Sequence, residues 1–320
     1  MSSAHTTRYR KTKLGAYDES LEPYSFSNRF FQVFRERLEH AALIAMKNDA
    51  ELHVLHVRVP FTDGPIASLE KDFPEHERFQ EVFDRLARTN MESVKPRVDI
   101  SLTKKVISAF DTATAVAEYA EKHDIDLVVV GTHGRKALGH LLLGSVAERV
   151  FRLSPVSVLA VGHDAAHRLQ ESAYRKVLVP VDFSDGSRRA LQHAAAICTQ
   201  HHAELIVLHV IDHVPHPAYY MSGHDSIMDA FPDITHRSRE MLAEWVKPYA
   251  ELQTDTLVGE GRAHVKIAEV AREHNVNIIV MGAQGLSGIG RLLLGSVTER
   301  TLRSAPCPVL ADKSKEAANV

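Results

Sequence analysis

A chain of 320 residues with 44% apolar and 25% charged content has the composition of a soluble globular protein of about two domains. A formal net charge of −3 argues against a nucleic-acid footprint, and two cysteines, Cys198 and Cys307, argue against a disulfide framework and for a reducing compartment. No apolar run approaches the ~20 residues that cross a bilayer, and Met1 to Lys13 lacks the apolar centre of a secretory signal, so a cytoplasmic protein without membrane insertion is expected.

Residues 1–22 read as a polar tail, residues 23–165 as a first domain, and residues 174–313 as a second. Near the start of the first domain, Pro23 to Arg29 (PYSFSNR) occupies the place of a first strand without its apolar signature. The apolar run Leu127 to Val130 leads into Gly131-Thr132-His133-Gly134, nine further residues, and Gly144-Ser145. The polar stretch from Gly162 to Arg175 reads as a connector. In the second domain Lys176 to Asp182 (KVLVPVD) is β-branched and apolar, as a buried parallel strand requires. Ser184, Asp185 and Ser187 are N-cap candidates for a helix to His201, and Glu204 to Val210 reads as a second strand. After a long loop, Asp212 to Phe231, come a helix (Pro232 to Tyr249), a strand (Leu252 to Val258), a helix (His264 to His274) and a strand (Asn277 to Met281). The glycine pattern then recurs as Gly282-Ala283-Gln284-Gly285, nine residues and Gly295-Ser296, before a helix to Ser304 and a last strand, Pro308 to Asp312.

The recurrence is a duplication. Ala117 to Ala160 aligns without gaps on Ala268 to Ala311 at an offset of 151, with 21 of 44 positions identical. Leu38 to Val57 aligns on Leu191 to Val210 at an offset of 153, with 12 of 20 identical. Alternating strands and helices predict two tandem doubly wound α/β domains, each with a five-stranded, mainly parallel sheet flanked by helices. A glycine turn between a strand and a helix N-terminus presents amide groups to phosphate.

The G-x-x-G-x9-G-[ST] pattern after a strand, the earlier Val181-Asp182-Phe183-Ser184, Leu208-His209-Val210 and the run Ser304 to Leu310 together resemble the universal stress protein family. The resemblance covers nearly the whole chain and implies an adenine nucleotide alpha hydrolase-like fold that holds ATP, with or without Mg²⁺. It implies that Pro180, Val181 and Asp182 contact the adenosine moiety and that Val210 packs on the base. It further implies that Met281, Gly282 and Gly285 line the ribose and phosphate approach. Gly295, Ser296, Val297 and Thr298 would donate to the triphosphate. In the first domain Gly131, Gly134, Gly144 and Ser145 keep the phosphate half, but at an offset of 153 Arg29 stands at the position of Asp182. ATP is therefore expected mainly in domain 2, with domain 1 weaker, different or empty.

Neither copy carries the lysine of a P-loop, and no carboxylate pair with metal-binding spacing flanks the loop, so no catalytic residue is assigned. Arg291, within the second spacer where the first has His140, reads as a solvated flank. His201-His202 and the loop residues His213, His216 and His224 form no standard ligand quartet, so no metal site is assigned. Glu148-Arg149 and Glu299-Arg300 read as helix-surface charges or as an interface. The resembled family pairs last strands between subunits, which implies that Val156 to Val161 and Pro308 to Asp312 pair within this chain as an internal pseudo-dimer, with a homodimer as a further option. The leading expectation is a non-enzymatic ATP-binding stress-response protein whose occupancy regulates partner binding. The alternatives are a nucleotide-independent tandem scaffold for another apolar or phosphorylated ligand, and a slow ATPase.

Overall fold

A computed structural model describes residues 13–17, 28–59, 99–132, 143–162, 174–212, 226, 228, 231–285 and 294–313. The chain divides into two compact units, residues 1–130 and 131–320.

In the first unit four parallel strands lie in the order β3-β2-β1-β4: β1 is Lys13–Tyr17, β2 Glu51–Arg58, β3 Leu102–Ser108 and β4 Leu127–Gly131. Helix α1 (Asn28–Lys47) precedes β2, and α2 (Thr112–Lys122) joins β3 to β4. The first strand corrects the sequence reading in two ways. It lies inside the stretch taken as a tail, paired in parallel with β2 and β4, and Arg29 belongs to the first turn of α1 rather than to a strand end. An ungapped offset misplaced it because ten residues separate β1 from α1, whereas three separate the equivalent pair in the second repeat. The sheet register gives the proper equivalence: Lys13 pairs with Glu51 as Lys176 pairs with Glu204. Counted on from Lys13, Glu19 holds the position of Asp182 in sequence; it is outside the described residues.

In the second unit the order is β5-β10-β9-β6-β7-β8. The strands are β5 (Ser157–Val161), β6 (Lys176–Val181), β7 (Glu204–Ile211), β8 (Thr254–Glu260), β9 (Ile278–Gly282) and β10 (Val309–Asp312). All neighbours are parallel except β5 and β10, which pair antiparallel through Val309↔Ala160 and Ala311↔Val158, as expected for the two last strands of the repeats. That pairing draws the end of the first repeat, including α3 (Ser145–Leu153), into the second unit.

Among the described residues, four further α-helices belong to this unit: α4 (Asp185–His201), α5 (Pro232–Val246), α6 (Ala263–Glu273) and α7 (Ser296–Ser304). Right-handed crossovers put α4 and α5 on one face and α6 and α7 on the other. Val177 to Val179 and Ile278 to Val280 are buried on both sides as a result, which is why these strands read as unbroken apolar runs. Asp49 and His202, and Asp124 and Asn275, take left-handed backbone at equivalent points just after helices, so the two copies also stop their helices alike. Among the described residues, no helix is long and apolar enough to cross a membrane.

Candidate functional site

Because β6 has β7 on one side and β9 on the other, the chain leaves it in opposite directions, and a crevice opens at the carboxyl ends of β6 and β9. One wall is the turn after β6. The Asp182 carboxylate accepts the Ser184 N–H at 3.0 Å and its hydroxyl, and Ser184 Oγ accepts the Ser187 N–H at 3.2 Å as the N-cap of α4. Between them Phe183 has φ of 62°, a left-handed conformation that costs a bulky residue about 1–2 kcal/mol. Ring contacts hold it there: its centroid lies 4.5 Å from that of His209 and 5.3 Å from that of Trp245, which stands edge-on. The Arg188 guanidinium sits 4.1 Å over the Trp245 ring. His209 Nδ1–H donates to the Val181 carbonyl at 2.9 Å, pinning the end of β6. Val210, the next residue, points to the opposite face of the sheet.

The other wall is the loop after β9. Ala283 N–H donates to the Asp312 carbonyl at 2.9 Å, and Gly295 N–H to the Ala283 carbonyl at 2.8 Å, closing the loop at its neck. The walls touch where only glycine fits. A Cβ on Gly285 would stand 2.5 Å from Asp182 Oδ2, one on Gly186 would stand 2.5 Å from the Gln284 carbonyl, and one on Gly282 would stand 2.9 Å from the backbone of Gly186.

Helix α7 starts at Gly295 with no side-chain cap, so the amides of Ser296 and Val297 lead into the crevice without a side-chain acceptor. Thr298 is buried, and its hydroxyl donates to the Gly282 carbonyl at 2.9 Å, tying the helix to β9. Helix α6 also starts uncapped, at Arg262. The two helices run the same way, and the Arg272 guanidinium donates to the Ser304 carbonyl at 3.2 Å. Their N-termini are thus neighbours too. His264, in the first turn of α6, has its pKa lowered by partial desolvation and then by Arg300 and Arg262, with Asp212 acting in the opposite direction. Positive charge gathers at this mouth.

The first repeat builds the same neck. Gly144 N–H donates to the Thr132 carbonyl at 2.7 Å, Thr132 N–H donates to the Val161 carbonyl at 3.2 Å, and Gly144 opens α3 without a side-chain cap, as Gly295 opens α7. Ser145 follows at an exposed position and Gly131 ends β4. Gly134, His140 and Arg291 lie outside the described residues.

The sequence profile of the universal stress protein family matches residues 35–162 and again residues 173–313. The chain belongs to the universal stress protein family. A universal stress protein of Methanocaldococcus jannaschii is 33% identical over 149 residues, covering 45% of this chain and 84% of its own. One from Thermus aquaticus is 32% identical over 137 residues, 43% of this chain and 97% of its own. Among solved structures, a universal stress protein from Archaeoglobus fulgidus matches 95% of this chain and 99% of its own at 21% identity, with a TM-score of 0.58, which is a likeness of fold.

This universal stress protein brings Asp182, Gly282, Gly285, Gly295, Ser296 and Val297 to one crevice. Pro180 and Val181 end β6 beside Leu208 and His209, and Met281 is buried in β9. Sequence reasoning missed Gly186, Phe183, Trp245, Arg262 and Asp312. A signal existed for Gly186 alone, since glycine in the first turn of a helix contradicts propensity unless something approaches closely.

Proposed function

We infer that the second repeat binds ATP in the crevice between β6 and β9, without catalysing rapid turnover, and that occupancy regulates the binding of a partner. One observation carries the reading: a carboxylate on one wall and uncapped helix amides on the other face a cleft whose contact points exclude any Cβ. Asp182 would accept from the adenosine moiety, Val210 would pack on the base, and the Ser296 and Val297 amides with the Ser296 hydroxyl would donate to phosphate. Among the described residues no His, Cys, Asp or Glu group is arranged to hold a metal, so Mg²⁺ would arrive on the phosphates. The absence of a P-loop lysine supports a sensor rather than an ATPase. Cys198 and Cys307 are buried and not in disulfides, which fits a cytoplasmic setting.

The first repeat is the weaker site in this reading. Its helix α2 is capped by its own Asp111, which accepts the Thr114 N–H at 2.8 Å, where the second repeat offers Arg262. The test is isothermal titration of ATP·Mg²⁺ into the full chain, the Asp182→Ala variant and the Gly295→Val variant, after removal of any co-purified nucleotide. One site lost in both variants is the expected result. Two equivalent sites would sink the asymmetry, and absence of heat in the wild type would leave a nucleotide-independent scaffold.

A further inference from the structure

Asp312, the last residue of β10, has a fully buried side chain, 0% exposed, and several parts of the fold meet on it. Its main-chain carbonyl holds Ala283, whose own carbonyl holds Gly295, so the neck of the glycine loop hangs from β10. Its carboxylate Oδ1 lies 3.1 Å from His193 Nδ1 on α4 and accepts the Ser157 hydroxyl of β5 at 3.1 Å. Ser157 Oγ in turn accepts the Lys313 N–H at 3.0 Å. The Lys313 ammonium turns away, donating to the Ser154 carbonyl at 2.9 Å, and burial lowers its pKa to about 8.

The first repeat has the same main-chain hook with a different side chain. At the offset of 151, Val161 stands in the place of Asp312, and its carbonyl holds Thr132 as the Asp312 carbonyl holds Ala283. The neck therefore closes without a carboxylate. A carboxylate buried at this knot is costly unless paired, and here it is paired with an imidazole.

We propose that His193 and Asp312 are positioning residues for the second repeat's glycine loop, and that a proton on His193 favours the loop geometry that receives phosphate. This rests on the nucleotide reading above. The charges acting on His193 come from two elements. Asp312 on β10 raises its pKa through the hydrogen bond and then through its charge, while burial and Arg189, one turn back on α4, act against it. The buried residues of β6 and β9 beneath α4, Val177 to Val179 and Ile278 to Val280, are apolar. Because the folded-state pKa is raised, the ion pair is complete below the ordinary imidazole value of about 6.5 and is lost as pH rises through the raised value. Above it the contact between His193 and Asp312 loses its charge and weakens, so α4 holds the end of β10 less firmly and the hook on Ala283 relaxes with it.

The experiment is a titration of ATP·Mg²⁺ into the full chain from about pH 6 to about pH 9 for wild type, His193→Gln and Asp312→Asn. Comparing profiles cancels the ligand's own protonation. The wild-type affinity is expected to fall about three- to tenfold across that window. His193→Gln should be flat, and Asp312→Asn, whose amide oxygen still accepts from Ser157, should be flat while keeping the loop in place. His193 is 32% exposed, so its variant retains the fold even if the Asp312 variant does not. Hydrogen exchange at the Ala283 and Gly295 amides, without ligand and expressed as protection relative to the intrinsic rate at each pH, gives a second readout: greater protection at low pH in the wild type and protection independent of pH in His193→Gln. Superimposable profiles for wild type and His193→Gln in both measurements overturn the proposal. If ATP gives no heat while Ala283 exchange follows His193, the clamp stands and the nucleotide reading falls. If ATP binds but neither readout responds to His193, the reading stands and the clamp falls.

Discussion

In the second repeat α6 opens on Arg262, which leaves the first amides of the helix without a side-chain acceptor, whereas in the first repeat α2 opens on Asp111, whose carboxylate fills that role at 2.8 Å. Both repeats close their glycine necks with the same hydrogen bonds, and both open the following helix on an uncapped glycine. Among the described residues, one clear difference therefore lies at the start of the neighbouring helix. A helix N-terminus carries roughly half a positive charge, and a carboxylate at the cap stabilises it by about 1 kcal/mol. One repeat takes that stability for itself. The other forgoes it and places Arg262 there, whose charge together with that of Arg300 lowers the pKa of the neighbouring His264.

The most severe way to break this comparison is to close the second crevice. Gly285→Ala would bring a Cβ to 2.5 Å from Asp182 Oδ2, and Asp182 cannot withdraw without surrendering its bonds to Ser184. We expect nucleotide heat in the second repeat to vanish and stability to fall by about 1–3 kcal/mol, as overpacking does. Unchanged affinity with an unchanged thermal midpoint would show that the crevice is not where ligand binds.

Next in size is Phe183→Ala. The left-handed strain remains, but the contacts with His209 and Trp245 go. A loss of about 2 kcal/mol is expected in denaturant unfolding, with a shift in the emission of Trp245, the one tryptophan in the sequence. A loss below ~0.5 kcal/mol would mean that the rings do not hold the turn.

These two sites mark what was legible in the sequence. The duplication and the glycine pattern were readable from spacing, whereas the β5–β10 pairing was implied only by the resemblance to a family whose last strands pair. The first strand was not: KLGAY holds a glycine and an alanine in five residues, a weak β pattern, and its distance from α1 broke the ungapped alignment. Phe183 was illegible for a different reason. Nothing in local propensity announces a phenylalanine at positive φ, because rings from β7 and α5, remote in sequence, stabilise it. Asp312 was equally silent, since a terminal strand aspartate reads as solvated until β5 and α4 cover it.

A charge exchange sharpens the comparison at smaller amplitude. Arg262→Asp with His264→Ala gives α6 the N-cap residue of α2 and the alanine of its first turn. The helix should gain about 1 kcal/mol in thermal unfolding while ATP affinity falls about tenfold. Asp111→Ala in the first repeat should cost about 1 kcal/mol. If affinity in the exchanged protein is unchanged, the positive mouth plays no part in anion recognition.

The smallest effect belongs to a charge cluster in which the repeats are equal partners. Glu148 and Glu299 occupy equivalent positions, as do Arg152 and Arg303; Arg303 lies 3.1 Å from Glu148 and 3.0 Å from Glu299, while Arg152 lies 3.1 Å from Glu148 and 3.6 Å from Glu299. Neither arginine anticipated from the repeat, Arg149 or Arg300, is among these pairs. With the four side chains 27–44% exposed, screening by water holds each pair to at most about 0.5–1 kcal/mol. Glu148→Gln should therefore destabilise slightly in low salt, and the difference should vanish near 1 M salt, where charges more than ~3 Å apart are screened. Asp312→Asn supplies the contrast. Its carboxylate is out of reach of counterions, so its effect on unfolding should survive the same salt. A salt dependence shared by both variants would place Asp312 in contact with solvent and remove the reason for treating the two junctions as physically different.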